Sequence, residues 1–194
     1  MCGIGGILRH HEPIPEAWLD DLDAAIRHRG PDGHGRFTDQ AVTNDGTIIH
    51  VAFTHRRLAI LDHTGGAQPM VSSSAPDGSP HTVAVVFNGC IYNHRELRRE
   101  LEALGHRFTS DHSDTEVLIH AYRAWGPEFE TRLNGMYAFG LWDRAAARLL
   151  LGRDLFGEKP LHVLWLDEQQ RSLAFSTDAA ALARIGRLRH DAAP

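Results

Sequence analysis

Apolar residues recur at helical spacing in four segments of the chain. Leu19, Leu22 and Ile26 repeat every three to four residues and predict a helix over about 16–27. The same periodicity predicts helices at about 93–104, 114–125 and 178–185. The third of these helices follows Ser113, and Glu116 stands three residues later, which is the pattern of a capping box.

Short apolar runs predict strands in the rest of the chain. They lie at 2–8, 48–53, 57–61, 82–87, 136–141, 149–152, 161–166 and 173–175. A segment rich in Ser, Pro and Gly at 72–80 predicts a hairpin loop. Strands and helices do not alternate regularly, so a doubly wound parallel sheet is disfavoured. The pattern favours an α+β fold built on antiparallel sheets, in one domain over 1–194.

The composition narrows the class of protein. A chain of 194 residues with 42% hydrophobic and 23% charged residues excludes disordered, collagenous and coiled-coil proteins. Its 20 Lys and Arg against 25 Asp and Glu give a net charge of −5, which argues against a nucleic-acid partner. No apolar run approaches the roughly 18 residues of a membrane span, and the first residues carry no basic region, so we expect no secretory leader. We therefore expect no membrane partner and a cytoplasmic location.

Neither the histidines nor the glycines indicate a metal or nucleotide site. The 14 histidines lack the paired spacing of zinc sites, so we expect surface histidines and no metal. The segment 152–160 resembles a phosphate-binding loop, but its Lys159 is displaced by one position and no Ser or Thr follows it. This segment is predicted to be a turn.

Cys2 is the first candidate for chemistry. If Met1 is removed, Cys2 carries both a thiol and a free α-amine. The ordinary pKa of an α-amine, roughly 7.7–8.0, allows it to act as a general base near neutral pH, and a thiol is a strong nucleophile. The alternative is a cysteine without function, because many chains begin Met-Cys by chance.

Asn88 and Gly89 follow a buried apolar strand. An Asn amide and a Gly N–H can both donate to the oxyanion that develops during acyl transfer. The alternative is a type I′ turn, the commonest use of Asn-Gly. That alternative is weakened because a segment leading into a helix, rather than a partner strand, follows.

Arg57 and Asp114 are candidates for substrate binding. Arg56 and Arg57 alternate within an apolar strand, so one of them points inward and needs a carboxylate from the protein or from a ligand. Asp114 either caps its helix or accepts from a ligand ammonium. Together, Arg57 and Asp114 would suit the α-carboxylate and α-ammonium of an amino acid.

The candidate residues lie in short sequence motifs, and the order of these motifs along the chain matches that of one protein family. The matching segments are MCGIGG at 1–6, RHRGPDG at 27–33, RLAILD at 57–62, AQPM at 67–70, FNGCIYNH at 87–94, SDTE at 113–116, NGMYAF at 134–139, GRD at 152–154, KPL at 159–161 and FSTD at 175–178. With these motifs the chain resembles the glutaminase domain of glutamine-dependent asparagine synthetases, which are class II glutamine amidotransferases with an N-terminal nucleophile. The resemblance extends over nearly the whole chain.

The resemblance implies a fold and a mechanism. The fold is the four-layer αββα sandwich of two antiparallel sheets known as the Ntn-hydrolase fold. Cys2 would attack the side-chain amide of glutamine, Asn88 and Gly89 would form the oxyanion hole, and Arg57 and Asp114 would bind the α-carboxylate and α-ammonium. Water would then release glutamate from a Cys2 thioester, and no cofactor is implied.

Cys90 departs from the family pattern, which usually has Asn-Gly-Glu. The missing Glu would help to hold the substrate ammonium, and losing one charge-assisted hydrogen bond costs about 1.5–3 kcal/mol. Three consequences remain open: a glutaminase with weaker glutamine affinity, a changed amide substrate, or a redox switch in which oxidation links Cys90 to Cys2. A weak or inactive module that binds glutamine is a further alternative.

The chain lacks the segment that carries ATP chemistry in the family. Asparagine synthetases have a second domain opened by a Ser-Gly-Gly-x-Asp-Ser loop, and this chain has none. We therefore expect the ATP-pyrophosphatase synthetase domain to be absent and ammonia to pass to a separate ATP-dependent synthetase subunit. A homodimer is left open.

Overall fold

The computed structural model describes residues 1–58, 66–75 and 77–191. Within these residues, the strands are β1 (Gly3–His10), β2 (Gly33–Val42), β3 (Ile48–Arg57), β4 (Met70–Ser74), β5 (Pro80–Ile91), β6 (Gly135–Asp143), β7 (Arg148–Arg153), β8 (His162–Trp165) and β9 (Leu173–Ser176). The α-helices are α1 (Glu16–Ala25), α2 (His94–Ala103), α3 (Asp114–Trp125) and α4 (Ala179–Asp191). Short 3-10 helices span Arg27–Arg29 and Gly126–Arg132.

The strands form two antiparallel sheets. The first has the order β2-β3-β1-β9-β8, and the second has the order β4-β5-β6-β7. The central position of β1 places the chain's first residues beside β3 and β9. The antiparallel α+β expectation is confirmed.

The alternation of side chains along each strand produces four layers. In β5, Val85 and Phe87 pack under α2 and α3, whereas Val86 points to the other face and meets Ile4 and Phe53 of the first sheet. The far face of the first sheet is covered by α1 and α4, where Ile7, Leu22, Ala174 and Leu182 pack together. Two helical layers therefore enclose two stacked sheets, as expected.

Several predicted boundaries are corrected by the structure. Arg57 ends β3 rather than beginning a new strand over 57–61, and residues 59–61 lie outside the described part of the chain. The predicted strand at 82–87 continues to Ile91, and the last helix continues beyond 185. In β5 and α4 the hydrophobic run ended before the backbone hydrogen bonding did, so the pattern underestimated these two elements.

The capping box at the start of α3 is only half present. The Ser113 hydroxyl accepts a hydrogen bond from the backbone N–H of Glu116 at 3.4 Å. The Glu116 carboxylate does not return to Ser113, since it accepts from the backbone N–H groups of Thr109 at 2.7 Å and Ser110 at 2.8 Å. Glu116 therefore fastens the segment before the helix to the first turn of α3.

Candidate active site

The side-chain alternation brings most of the candidate residues to the space between the sheets. In β5 the residues that face this space are even-numbered, so Asn88 and Cys90 continue the face of Val86. In β3 they are odd-numbered, so Arg57 continues the face of Phe53. Cys2 continues the face of Ile4 in β1 by the same rule. Two strands and the residue just before a third thus contribute candidates to the same inner layer.

Cys2 precedes the central strand and is held by backbone contacts. The N–H of Leu58 lies 3.5 Å from the Cys2 Sγ, and this sulfur lies 3.8 Å from the carbonyl oxygen of Leu58. On the other side, Arg29 Nε donates to the Cys2 carbonyl oxygen at 3.3 Å. Cys2 is half-buried, while Met1 is 53% exposed. The thiol is therefore fixed in place, and the residue before it is accessible to processing.

Asn88 and Gly89 lie within β5, opposite Ala138 and Tyr137 of β6, so they do not form a type I′ turn. Asn88 is 2% exposed, and within the described part of the chain its Nδ2 has no hydrogen-bond partner. A buried amide donor left without an acceptor costs about 1–3 kcal/mol. At Gly89 a Cβ would collide with the carbonyl oxygen of Met136. The strand therefore keeps a buried donor available beside a position that only glycine fits.

Asp114 lies close enough to Cys90 to influence the ionisation of its thiol. Burial raises the pKa of Asp114, while a hydrogen bond from the backbone N–H of Ile91 at 3.1 Å acts to lower it. Burial also raises the pKa of the Cys90 thiol; the Asp114 carboxylate raises it further and the Lys159 ammonium lowers it. The anion Asp114 and the cation Lys159 therefore both lie near Cys90.

Arg56 and Arg57 have the opposite orientations that strand alternation predicts. Arg56 forms a two-pronged ion pair with the buried Asp23 of α1, and its Nε lies 2.8 Å from Asp23 Oδ1. The Arg57 guanidinium points the other way and lies beside Gly66, where a Cβ would be 2.7 Å from Nη2. Arg56 is the structural arginine, and Arg57 faces the side on which the other candidates lie.

Comparison with known proteins gives the family. A family model described as a glutamine amidotransferase domain matches residues 1–193. The chain belongs to the glutamine amidotransferase domain family. The expected family assignment and enzyme class are confirmed.

The curated relatives are much longer than this domain. The chain is 40% identical over 174 residues to glutamine-hydrolyzing asparagine synthetase 1 of Bacillus subtilis (strain 168), covering 87% of the chain and 25% of that protein. It is 34% identical over 184 residues to the probable glutamine-hydrolyzing asparagine synthetase of Dictyostelium discoideum, covering 94% of the chain and 30% of that protein. The amidotransferase domain thus spans between a quarter and a third of these relatives.

A solved structure has the same fold. The glutamine phosphoribosylpyrophosphate amidotransferase from B. subtilis superposes with a TM-score of 0.69 at 23% identity, covering 95% of this chain and 43% of that chain. At this identity the likeness concerns the fold alone, and the expected Ntn-hydrolase fold is confirmed.

Gln68 is a site residue that sequence reasoning did not single out. Its Oε1 accepts from the backbone N–H of Phe87 at 2.6 Å, and its Nε2 donates to Thr115 Oγ1 at 3.4 Å. One side chain therefore joins β5, just before Asn88, to the beginning of α3, just after Asp114. The AQPM motif was a signal for it, although the motif alone gives no role.

Lys159 is the second site residue that was missed. It follows the turn after β7, and its Nζ lies 3.5 Å from the Met1 Sδ. The turn predicted at 152–160 begins only at Asp154, because Gly152 and Arg153 belong to β7, and its lysine reaches the N-terminus of the amidotransferase domain. Only the three-dimensional fold brings residues so distant in sequence together.

The described residues contain no group of three or more His, Cys, Asp or Glu side chains that could hold a metal ion. Among the same residues, no helix is long and apolar enough to cross a membrane.

Proposed function

We propose that this domain hydrolyses glutamine to glutamate and ammonia through a thioester on Cys2, after Met1 has been removed. The observation that carries the proposal is the Cys2 thiol, held against the Leu58 backbone at the start of the central strand of a glutamine amidotransferase domain. Removal of Met1 would put a nucleophile and a general base on this one residue.

The chemical steps use Cys2, Asn88 and Gly89. The α-amine takes the thiol proton, and Sγ forms a bond to the side-chain carbonyl carbon of glutamine. The resulting oxyanion accepts hydrogen bonds from Asn88 Nδ2 and the Gly89 N–H. When the intermediate collapses, the C–N bond breaks and the α-ammonium gives its proton to the departing ammonia. Water, deprotonated by the same amine, then cleaves the thioester and restores the thiol.

Substrate binding is assigned to the charges around this inner space. Arg57 binds the α-carboxylate and Asp114 binds the α-ammonium of glutamine. The buried Nδ2 of Asn88, which has no partner among the described residues, supports the oxyanion role, because an acceptor at that position would relieve the cost of leaving the donor unpaired. The orientation of Arg57 supports its assignment, because Arg56 points the other way and pairs with Asp23.

The decisive experiment combines mass and reactivity. Intact mass of the purified chain should show loss of Met1, and a glutamine-like electrophile should add once, at Cys2. Glutamate release from glutamine should disappear in Cys2→Ala, while the control Cys90→Ala should still be labelled at Cys2. An unprocessed N-terminus, or a processed chain that releases no glutamate, would contradict the proposal.

A second candidate is a module that binds glutamine without turning it over. Cys90 favours this candidate, because it supplies no carboxylate beside Asp114. Retained glutamine binding by calorimetry, without glutamate release, would support it over the catalytic proposal.

We further propose that the ammonia is consumed by a synthetase-type partner, with which this domain associates in the cytoplasm. The support is the length of the relatives, which are named as asparagine synthetases and of which the chain covers about a quarter to a third. If a partner protein accepts the ammonia, adding it should couple glutamine consumption to formation of an amide product. Free ammonia accumulating in full yield beside that partner would contradict this proposal.

A further inference from the structure

Within the described residues, Lys159 is a buried residue whose ammonium has no anionic partner. Lys159 is 9% exposed, and in that part of the chain its Nζ has one hydrogen-bond contact, the Met1 Sδ at 3.5 Å. No described carboxylate forms an ion pair with it. A thioether sulfur is a weak acceptor. Burying an ammonium is costly unless its charge is paired with an anion, so a buried lysine without such a partner is a candidate for a functional role.

The backbone around Lys159 is held firmly. The Asp154 carboxylate accepts from the backbone N–H groups of Lys159 at 3.0 Å, Glu158 at 2.9 Å and Tyr137 at 3.1 Å. Arg153 Nε donates to the Lys159 carbonyl oxygen at 3.0 Å. Because Tyr137 is also the cross-strand partner of Gly89, the loop is fixed relative to β5. The point from which the Lys159 side chain extends is therefore set by the scaffold.

Removing Met1 changes what lies next to this cation. The Met1 sulfur leaves with its residue, and the new α-amine forms at the Cys2 nitrogen, five covalent bonds from that sulfur. Covalent geometry then places Nζ within about 10 Å of the Cys2 nitrogen. At this distance in a partly buried site, a cation disfavours the protonated form of an amine and lowers its pKa by about one.

We propose that Lys159 is a positioning residue that keeps the terminal amine of the processed chain unprotonated near neutral pH. The inference rests on the proposed function, because it requires Cys2 to be the N-terminal residue. An α-amine that is already neutral can accept the thiol proton, whereas an α-ammonium cannot. Lys159 acts through Cys2 and forms no bond with the substrate.

Other groups near the N-terminus or near Lys159 act in both directions. From the neighbouring elements these are Arg29, Arg57, Cys90, Asp114, Tyr137 and Asp154. Arg29 and Arg57 act in the same direction as Lys159, and the carboxylates of Asp114 and Asp154 oppose it. Burial raises the pKa of both the Cys90 thiol and the Tyr137 hydroxyl, so both are neutral at pH 7. A change at Lys159 alone leaves all of these groups in place.

The test measures the amine directly. The processed chain is treated with cyanate across a pH series, and carbamylation of the Cys2 α-amine is followed by mass spectrometry of the N-terminal peptide. In Lys159→Met the labelling midpoint should rise by about one pH unit, while Lys159→Arg should match the parent. The acid limb of kcat/KM should move by the same amount in Lys159→Met. Arg107→Met, at an exposed site, removes the same charge elsewhere and should change neither measurement.

The possible outcomes distinguish the role of Lys159 from the proposed glutamine hydrolysis. If the labelling midpoint in Lys159→Met coincides with that of the parent, the role of Lys159 is overturned, whether or not glutamate is released. If the midpoint shifts but the parent releases no glutamate, the proposed function fails and the electrostatic role stands. Retention of Met1 contradicts both. Lys159→Gln serves as a second neutral variant, and circular dichroism of each variant checks the fold.

Discussion

The backbone N–H of Ile91, the last residue of β5, donates to the carboxylate of Asp114, the first residue of α3, at 3.1 Å. This hydrogen bond joins the strand that carries Asn88 and Cys90 to the helix that carries the candidate ammonium ligand. It leaves the Asp114 carboxylate half-buried, and burial raises its pKa above the usual range. The fold therefore holds a partly desolvated carboxyl group where the strand meets the helix.

Asp114→Asn should weaken glutamine binding without lowering the stability of the fold. The amide can still accept from Ile91 but cannot neutralise an ammonium, so we expect the KM for glutamine to rise about 10- to 150-fold. The melting temperature should not fall, because a partly desolvated charge is removed. Since the pKa of Asp114 is raised, glutamine affinity in the parent should decline with falling pH before an ordinary Asp would be protonated. Asp111→Asn, at an exposed position nearby, is the control.

Asn88→Asp should reduce the rate with little effect on binding. The substitution replaces the buried Nδ2 donor with an acceptor of the same shape, so the oxyanion loses a hydrogen bond. We expect kcat to fall about 100- to 1000-fold. Steady-state kinetics with glutamine, together with a thermal melt to check folding, measure this. A kcat within threefold of the parent would remove Asn88 from the oxyanion hole.

Cys90→Glu should strengthen glutamine binding. The new carboxylate would lie near Asp114 and near Lys159. The Lys159 charge acts to lower the pKa of the Cys90 thiol, and it would favour the ionised form of a Glu at the same position. If Cys90 merely weakens the ammonium site, the KM should fall by about tenfold or more. Cys90→Gln, with the same length and no charge, should leave the KM near that of the parent. An unchanged or higher KM in Cys90→Glu would favour a different amide substrate.

The sequence predicted the elements better than it predicted their ends or their partners. Periodicity located α3 and the apolar part of β5, because these segments are apolar on the faces they bury. It missed the last residues of β5, since Asn88, Gly89 and Cys90 do not look like a strand although their backbone pairs with β6. Local patterns carry no information about such a continuation.

The residues of the candidate site also differ in whether the sequence could predict them. Cys2, Asn88 and Asp114 could be proposed because their chemistry is readable in one residue or one dipeptide. Lys159 and Gln68 could not, because their positions depend on contacts made across the fold. Strand alternation supplied one long-range result, namely that Arg56 and Arg57 face opposite sides, and the Asp23–Arg56 pair agrees with it.

Glu116→Gln should destabilise the start of α3. Burial acts to raise the pKa of Glu116, but hydrogen bonds from the His120 ring, the Ser110 hydroxyl and the backbone N–H groups of Thr109 and Ser110 hold it well below the usual range. We expect the free energy of unfolding to fall by about 1–3 kcal/mol at pH 7 in denaturant titrations. The exposed Glu102→Gln is the control and should change it little.

The pH dependence of that effect has a definite sign. A carboxyl whose pKa is depressed in the folded state stabilises the fold above its unfolded pKa of about 4.3, and this contribution is lost as the pH falls below that value. The difference in unfolding free energy between the parent and Glu116→Gln should therefore shrink between pH 5 and pH 3. A difference that stays constant over this range would mean that the ionised carboxylate is not its source.

His55 should make the fold sensitive to mild acid. It lies in β3 opposite Ile4, is buried, and has its pKa lowered to about 4 by burial and by the Arg57 charge. Because the unfolded pKa is about 6.5, the unfolded chain binds more protons, and stability is lost as the pH falls from 6.5 towards 4. Between pH 7.5 and pH 5 we expect a loss of about 2 kcal/mol, measured by denaturant titration. His55→Gln should remove most of this slope, whereas His162→Gln at an exposed position should preserve it. An equal slope in the parent and His55→Gln would show that other groups cause the acid sensitivity.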